Sequence, residues 1–234
     1  MARGGDRAAP PRRPDRGRPY TDPVVAQALH LIRHGEVDNP SGIIYGRLPG
    51  FGLTERGARM AASAAAALEG EPVTRIIASP LQRTQESAAP IAEAFGLPID
   101  SDERVIEAGN LFEGRRTTGR AIARDPRAWR LLRNPSRPSW GEPYVEIVRR
   151  MNAAIADALR TTESGHVVIV THQLPIWMVH RSILGQPLPH DPRRRRCALS
   201  SITTLGRRSG RLVEIGYAEP AAGLLVKAVD KGAT

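Results

Sequence analysis

Leu29-His-Leu-Ile-Arg-His-Gly-Glu36 places three large aliphatic side chains within four residues and then turns abruptly polar. A short apolar run bounded in this way reads as a buried strand, here 24–33, that delivers Arg33 and His34 at its carboxyl end. That end is where open α/β sheets hold their ligands. Two further segments have the same form. Val73–Ser79, centred on Ile76-Ile77-Ala78, runs into Ser79-Pro-Leu-Gln-Arg83, and His166–Thr171 runs into His172-Gln173. Between them the periodicity is helical. Thr54 caps a helix that continues to about Glu69 and stops at Gly70, and Pro80 opens a second that closes at Phe95-Gly96 with a kink at Pro90. Tyr144–Thr161 carries Val145, Val148, Met151, Ile155 and Leu159 on one face, and Pro175–Leu184 follows the third strand. Arg104–Glu107 reads as a short fourth strand, and Leu199–Leu205 with Leu212–Gly216 as a terminal hairpin. Strands alternating with helices predict an α/β fold, a three-layer α/β/α sandwich around a mostly parallel central sheet.

The chain has 234 residues, 41% hydrophobic and 25% charged, the balance of one soluble globular domain. Residues 1–23 combine Arg, Pro, Gly and Asp with almost no large apolar side chain and are expected to form a disordered arm. The domain is expected over 24–220, with a flexible tail over 221–234. Apolar stretches such as Val167–Val170 fall far short of the roughly 20 residues that span a bilayer. The arginine-studded start lacks a signal-peptide apolar block, so a cytoplasmic location is expected, with no membrane partner. Cys197 is the single cysteine, which excludes a disulfide scaffold and a cysteine-rich zinc module. Net charge is +10, but only Lys227 and Lys231 are lysines, so the excess is an arginine bias over the whole chain. Aromatic residues make up 4%, and none is interleaved with arginines as a base-stacking platform requires, which disfavours a nucleic-acid partner.

The polar clusters leaving the three strands bring two arginines and two histidines toward one edge. Guanidinium forks match phosphate oxygens, and an imidazole can accept a phosphoryl group, so phosphoryl transfer is the inferred chemistry. The departing alkoxide needs a proton, and Glu107 is the best-placed carboxylic acid, with Glu113 as alternative and Glu103 as a remote third.

Leu31-Ile-Arg-His-Gly-Glu36, Leu53-Thr-Glu-Arg-Gly57, Ser79-Pro-Leu-Gln-Arg-Thr-Gln-Glu86 and Val170-Thr-His172, in this order, resemble the motif series of the histidine phosphatase superfamily, which includes cofactor-dependent phosphoglycerate mutases. The resemblance covers roughly 29–185 and implies a phosphoglycerate-mutase-like fold. It further implies that His34 is phosphorylated, that Arg33, Arg83 and His172 hold the phosphoryl group, and that Glu107 protonates the leaving oxygen and then activates water. Asn39 falls where relatives often place a polar substrate contact. Two departures stand out: Gln173 replaces the glycine usual after the second histidine, and the segment from Glu107 to Gly114 is slightly short.

The implied activity is a metal-independent phosphomonoesterase acting through phosphohistidine on a small phosphorylated substrate. The alternatives are phosphoglycerate-mutase-type transfer, disfavoured by a short Ala/Gly-rich stretch after 218, and a non-enzymatic anion-binding regulatory module. No cofactor or metal is expected. His30 alternates with apolar residues as a core residue would, His166 opens a strand, His180 and His190 read as peripheral, and the spacing is not that of a metal site. The connection over 114–143 holds eight arginines, Arg115 through Arg137, against Asp125 and Glu142, and is expected to act as a basic lid for a substrate with further negative charge. Asp191-Pro-Arg-Arg-Arg-Arg196 reads as a second anion patch or a solvated loop.

Overall fold

In the computed structural model, residues 26–116, 141–226 and 228–229 are described. The arm over 1–23, the body of the basic connection (117–140, with Arg120 and Arg124) and 230–234 lie outside them. Among the described residues six strands form one sheet: β1 (Ala28–Arg33), β2 (Val73–Ala78), β3 (Ile99–Ser101), β4 (His166–Thr171), β5 (Ile202–Arg208) and β6 (Arg211–Ala218). Their order is β3-β2-β4-β1-β5-β6. The first four are parallel, β5 runs antiparallel to β1, and β6 returns antiparallel to β5. The sheet is therefore mixed and mostly parallel, as expected.

The two-residue period of the strands sorts their side chains onto two layers. Leu29, Leu31, Val167 and Ile169 share one core with Ile147, Met151 and Ile155 of α3 (Tyr144–Thr161) and Ile176 and Met178 of α4 (Gln173–Ile183). Ile32, Val168 and Val170 point the other way, onto Ala64 and Ala65 of α1 (Glu55–Ala66) and Ala88 and Ile91 of α2 (Gln82–Phe95). The large aliphatic side chains among these are at most 2% exposed, and each such burial contributes about 1.5–3 kcal/mol. Thr54 caps α1 as expected, its hydroxyl accepting from the Gly57 N–H at 2.9 Å.

Several boundaries differ from expectation. Arg104–Glu107 is not a strand. Glu103–Val105 forms a 3₁₀ turn capped by the Asp102 carboxylate, which accepts from the Arg104 N–H. The carbonyls that a strand would pair with a neighbour instead accept from Arg150, at 2.8 Å for Arg104 and 2.6 Å for Ile106. The fourth parallel strand is the three-residue β3, too short to show a period. β1 begins at Ala28, later than expected. α2 starts at Gln82, because Pro80 and Leu81 form the bend before it, and it continues through Pro90. α4 starts at Gln173, so Pro175 falls in its first turn, where no N–H is needed. The hairpin strands are β5 and β6, each shifted or extended toward the carboxyl end. The expected flexible tail is anchored over its described part: Ala222–Leu225 forms a helical turn, α5, Ala221 packs with Met60 and Leu199, and the Val229 N–H donates to Glu36 at 2.6 Å.

Candidate active site

Strand register assembles the site. β1 pairs with β4 so that Arg33 lies opposite Thr171, and the His34 N–H continues the ladder to the Thr171 carbonyl at 3.1 Å. His34 and His172 thus leave adjacent parallel strands at the same level, with ring centroids 5.2 Å apart and planes at 61°. β2 ends level with them, since Ala78 pairs with Val170 and the Ser79 N–H donates to the Val170 carbonyl. Arg83 follows as the second residue of α2.

Every one of these groups is buried. Arg33, His34, Glu107 and His172 are 0% exposed and Arg83 is 1% exposed. His34 Nδ1 faces the Gly35 carbonyl at 2.8 Å, and a carbonyl can only accept, so Nδ1 carries the hydrogen and Nε2 the lone pair. Among the described residues, His34 Nε2, Glu107 Oε2, His172 Nδ1 and Arg83 Nε have no hydrogen-bond partner. Buried polar atoms are almost always paired, so four orphans at one sheet edge mark a place built for something polar. His172 Nε2 lies 2.8 Å from the Ser79 hydroxyl, and His172 Nδ1 lies 4.0 Å from Glu107 Oε2. The Ser79 hydroxyl, which also accepts from the Leu81 N–H, engages Nε2, so Nδ1 is the ring nitrogen of His172 that faces Glu107.

Charge follows the same arrangement. Burial holds the His34 imidazole well below its ordinary value, with Arg83 and then Arg33 adding to the effect. His172 is lowered in the same direction by burial, Arg83 and His34. Burial raises Glu107, against the opposing pull of the Ala108 N–H, Arg83, Arg195 and Arg33. Two neutral imidazoles, a carboxyl biased toward its acid form and fixed guanidinium groups thus share one buried cluster.

Between their depressed folded values and 6.5, His30, His34, His172 and the less buried His190 bind a proton only when unfolded, so stability rises with pH across that window. Glu107, raised in the folded state, opposes this with one proton. Acidification below pH 6.5 is therefore expected to lower the unfolding free energy by at most about 5 kcal/mol per pH unit, about 1.4 for each of the four histidines. Urea denaturation at pH 7.5, 6.0 and 5.0 measures this, and a stability flat over that range would contradict it.

Of the carboxylates weighed from sequence, Glu107 alone converges with the histidines. Glu113 is tied to backbone, its Oε1 accepting from the Arg47 and Asn110 N–H groups, and Glu103 is exposed on the 3₁₀ turn. Asn39 braces its own loop: its amide donates to the Ile43 carbonyl at 2.9 Å and accepts from the Ile43 N–H at 3.2 Å. It lines a cavity of about 480 Å³ with Glu36, Arg56 and Arg59, and none of the five converging groups lines that cavity. The loop after β1 crosses α1 at Gly35 and Gly57, where a Cβ on either would overlap the other segment's backbone.

Other residues of the site have no local sequence signal. Arg195 turns inward from the Asp191–Arg196 run, donating to His190 Nε2 at 2.9 Å and to Gln173 Oε1 at 3.2 Å, and lies close enough to lower the Glu107 pKa. Its neighbours go elsewhere: Arg193 pairs with Asp191, and Arg196 with Glu214. Arg33 donates to the Cys197 carbonyl at 2.8 Å, and Gln173 reaches the same carbonyl at 3.4 Å. Gln173, where glycine is usual, thus ties α4 to the 195–197 loop. The Glu107 backbone is held by Arg47, which donates to its carbonyl at 2.7 Å and to Glu142 at 2.9 Å, while Arg150 pairs with that same Glu142.

Comparison with known proteins agrees with this geometry. Residues 29–218 match the histidine phosphatase superfamily, branch 1. An uncharacterized protein of Mycobacterium tuberculosis is 53% identical over 196 residues, covering 83% of this chain and 96% of that protein. A probable phosphoglycerate mutase of Yersinia enterocolitica is 33% identical over 183 residues, covering 74% and 83%. Among solved structures, Bacillus stearothermophilus YhfR superposes with a TM-score of 0.68 at 26% identity over 80% of this chain and 95% of its own. With the motifs in order, the strand ends level and 190 residues matched, this chain belongs to the histidine phosphatase superfamily, branch 1.

Proposed function

We propose that this protein is a phosphomonoesterase that hydrolyses a small phosphorylated substrate through a phosphohistidine at His34 without calling on a metal ion. The observation that carries the reading is the pairing of two buried orphan atoms, the His34 Nε2 lone pair and the Glu107 Oε2 biased toward its protonated form, among Arg33, Arg83 and His172. In the first step Nε2 attacks phosphorus, the P–O ester bond breaks, and the Glu107 proton passes to the departing alkoxide. In the second, the Glu107 carboxylate takes a proton from water, the water oxygen attacks phosphorus, the P–N bond breaks, and inorganic phosphate leaves. The guanidinium groups and His172 Nδ1–H bind the phosphoryl oxygens in both steps, already oriented and stripped of water.

The Yersinia relative's name favours a second reading, transfer of the phosphoryl group between positions of a phosphoglycerate. One experiment separates them. Purified protein is given a labelled phosphomonoester and quenched during turnover. An acid-labile, base-stable label on the protein, with stoichiometric inorganic phosphate and no dependence on bisphosphoglycerate, is the expected result. Turnover that requires bisphosphoglycerate priming would establish the mutase, and binding without any label or phosphate release would leave only an anion-binding module.

A further inference from the structure

At the opposite end of the sheet a second polar cluster forms from residues that are far apart in sequence. His166 opens β4, and His30 lies two steps along the neighbouring β1, because Ala28 is the partner of His166. Thr204 of β5 lies directly across from His30. The turn between α1 and β2 adds Glu71, just after Gly70 in the left-handed region at φ +85°. His30 Nε2 and His166 Nδ1 face each other at 3.1 Å, and Glu71 Oε2 lies 3.1 Å from the same His166 nitrogen. All three ligand atoms fall within 4.8 Å of one another. Six residues of strand, about 20 Å at ~3.3 Å per residue, separate His166 from His172.

We propose that His30, His166 and Glu71 form a binding site for a borderline divalent transition-metal ion of the zinc class, separate from the phosphoryl-transfer site. The spacing suits such an ion, because metal–ligand bonds of about 2.0–2.2 Å in a tetrahedron place neighbouring ligand atoms about 3.3 Å apart. Two imidazole nitrogens and one carboxylate oxygen are the donor set that zinc accepts, whereas magnesium and calcium prefer oxygen alone. The outer layer is present as well: Thr204 Oγ1 lies 3.0 Å from His30 Nδ1 and fixes the ring with Nε2 toward the cluster. His30 is 4% exposed, so its ring is held in place by the packed sheet rather than by solvent. The Glu71 side chain is 44% exposed, which leaves the outer side open to a water as fourth ligand. An ion held by ligands from two strands and a helix–strand turn would pin the α1–β2 turn to the sheet.

The test is a zinc titration of the full-length protein at pH 7.5 against a chromogenic chelator, repeated with cobalt for its visible spectrum. The expected result is one equivalent bound with a micromolar or tighter Kd, with a Tm raised by about 5–10 °C at zinc 100-fold above Kd. Magnesium should produce neither effect. His166→Ala should weaken binding at least tenfold and Glu71→Ala severalfold, both at accessible positions that spare the core, while His34→Ala should bind as wild type does. No stoichiometric binding at 100 μM zinc, or full-strength binding in both His166→Ala and Glu71→Ala, would overturn the site, and loss confined to His34→Ala would move the ion to the phosphoryl pocket.

Discussion

His34→Ala is expected to remove turnover by at least about 10⁴-fold while leaving the fold in place. The size follows from the role: deleting a covalent nucleophile costs on the order of 10⁶ where it has been measured, and what survives is the contribution of binding and fixed charge. His172 is a poor substitute, because its Nε2 is engaged by the Ser79 hydroxyl and, as the phosphoryl-binding donor proposed above, its Nδ1 carries the hydrogen. Removing one buried imidazole leaves Arg33 and Arg83 in position, so phosphate should still bind. The measurement is kcat on a p-nitrophenyl ester together with the acid-labile label of quenched protein. Retention of label, or activity within tenfold of wild type, would take the nucleophile away from His34.

The second large effect concerns the proton. Glu107→Gln keeps the shape of the side chain and its hydrogen bond from the Ala108 N–H but removes the exchangeable proton on Oε2, so a loss of about 10²–10⁴-fold is expected. The leaving group provides the control. A p-nitrophenolate departs with little help, so its phosphoryl-transfer step should lose far less than that of an alkyl phosphate, and single-turnover rates on the two ester types read the difference. The pH profile provides another readout. With His34 held neutral well below 6.5 and Glu107 raised, kcat/KM for an alkyl phosphate should fall as pH rises through the Glu107 pKa, and Glu107→Gln should abolish that limb. Equal losses on both esters with an unchanged profile would reassign Glu107 to a purely structural position.

What the sequence determined by itself was the set of elements whose signal is local. The apolar runs ending in Arg33-His34, Ser79 and Thr171-His172 announced three strands with polar exits, and the helical period of Tyr144–Thr161 announced the helix that covers them, because burial on both faces of a sheet, or along one stripe of a helix, writes itself into consecutive residues. The choice between Glu107 and Glu113 was not in that pattern. The two carboxylates differ only in that one is wholly buried beside His172 and the other is held by two backbone N–H groups, a difference of packing. Nor could a run of four arginines tell which would turn inward: Arg195 does so because Gln173 and His190 accept from it, residues 22 and 5 positions away. Arg150 replaced an expected strand by satisfying two carbonyls from 46 and 44 positions away. His30 and His166, which read singly as a core and a structural residue, became a pair with Glu71 only through the register of β1 on β4. Register, burial and side-chain pairing between distant segments are set by the energy of the whole packed chain, and so the tertiary structure alone decided them.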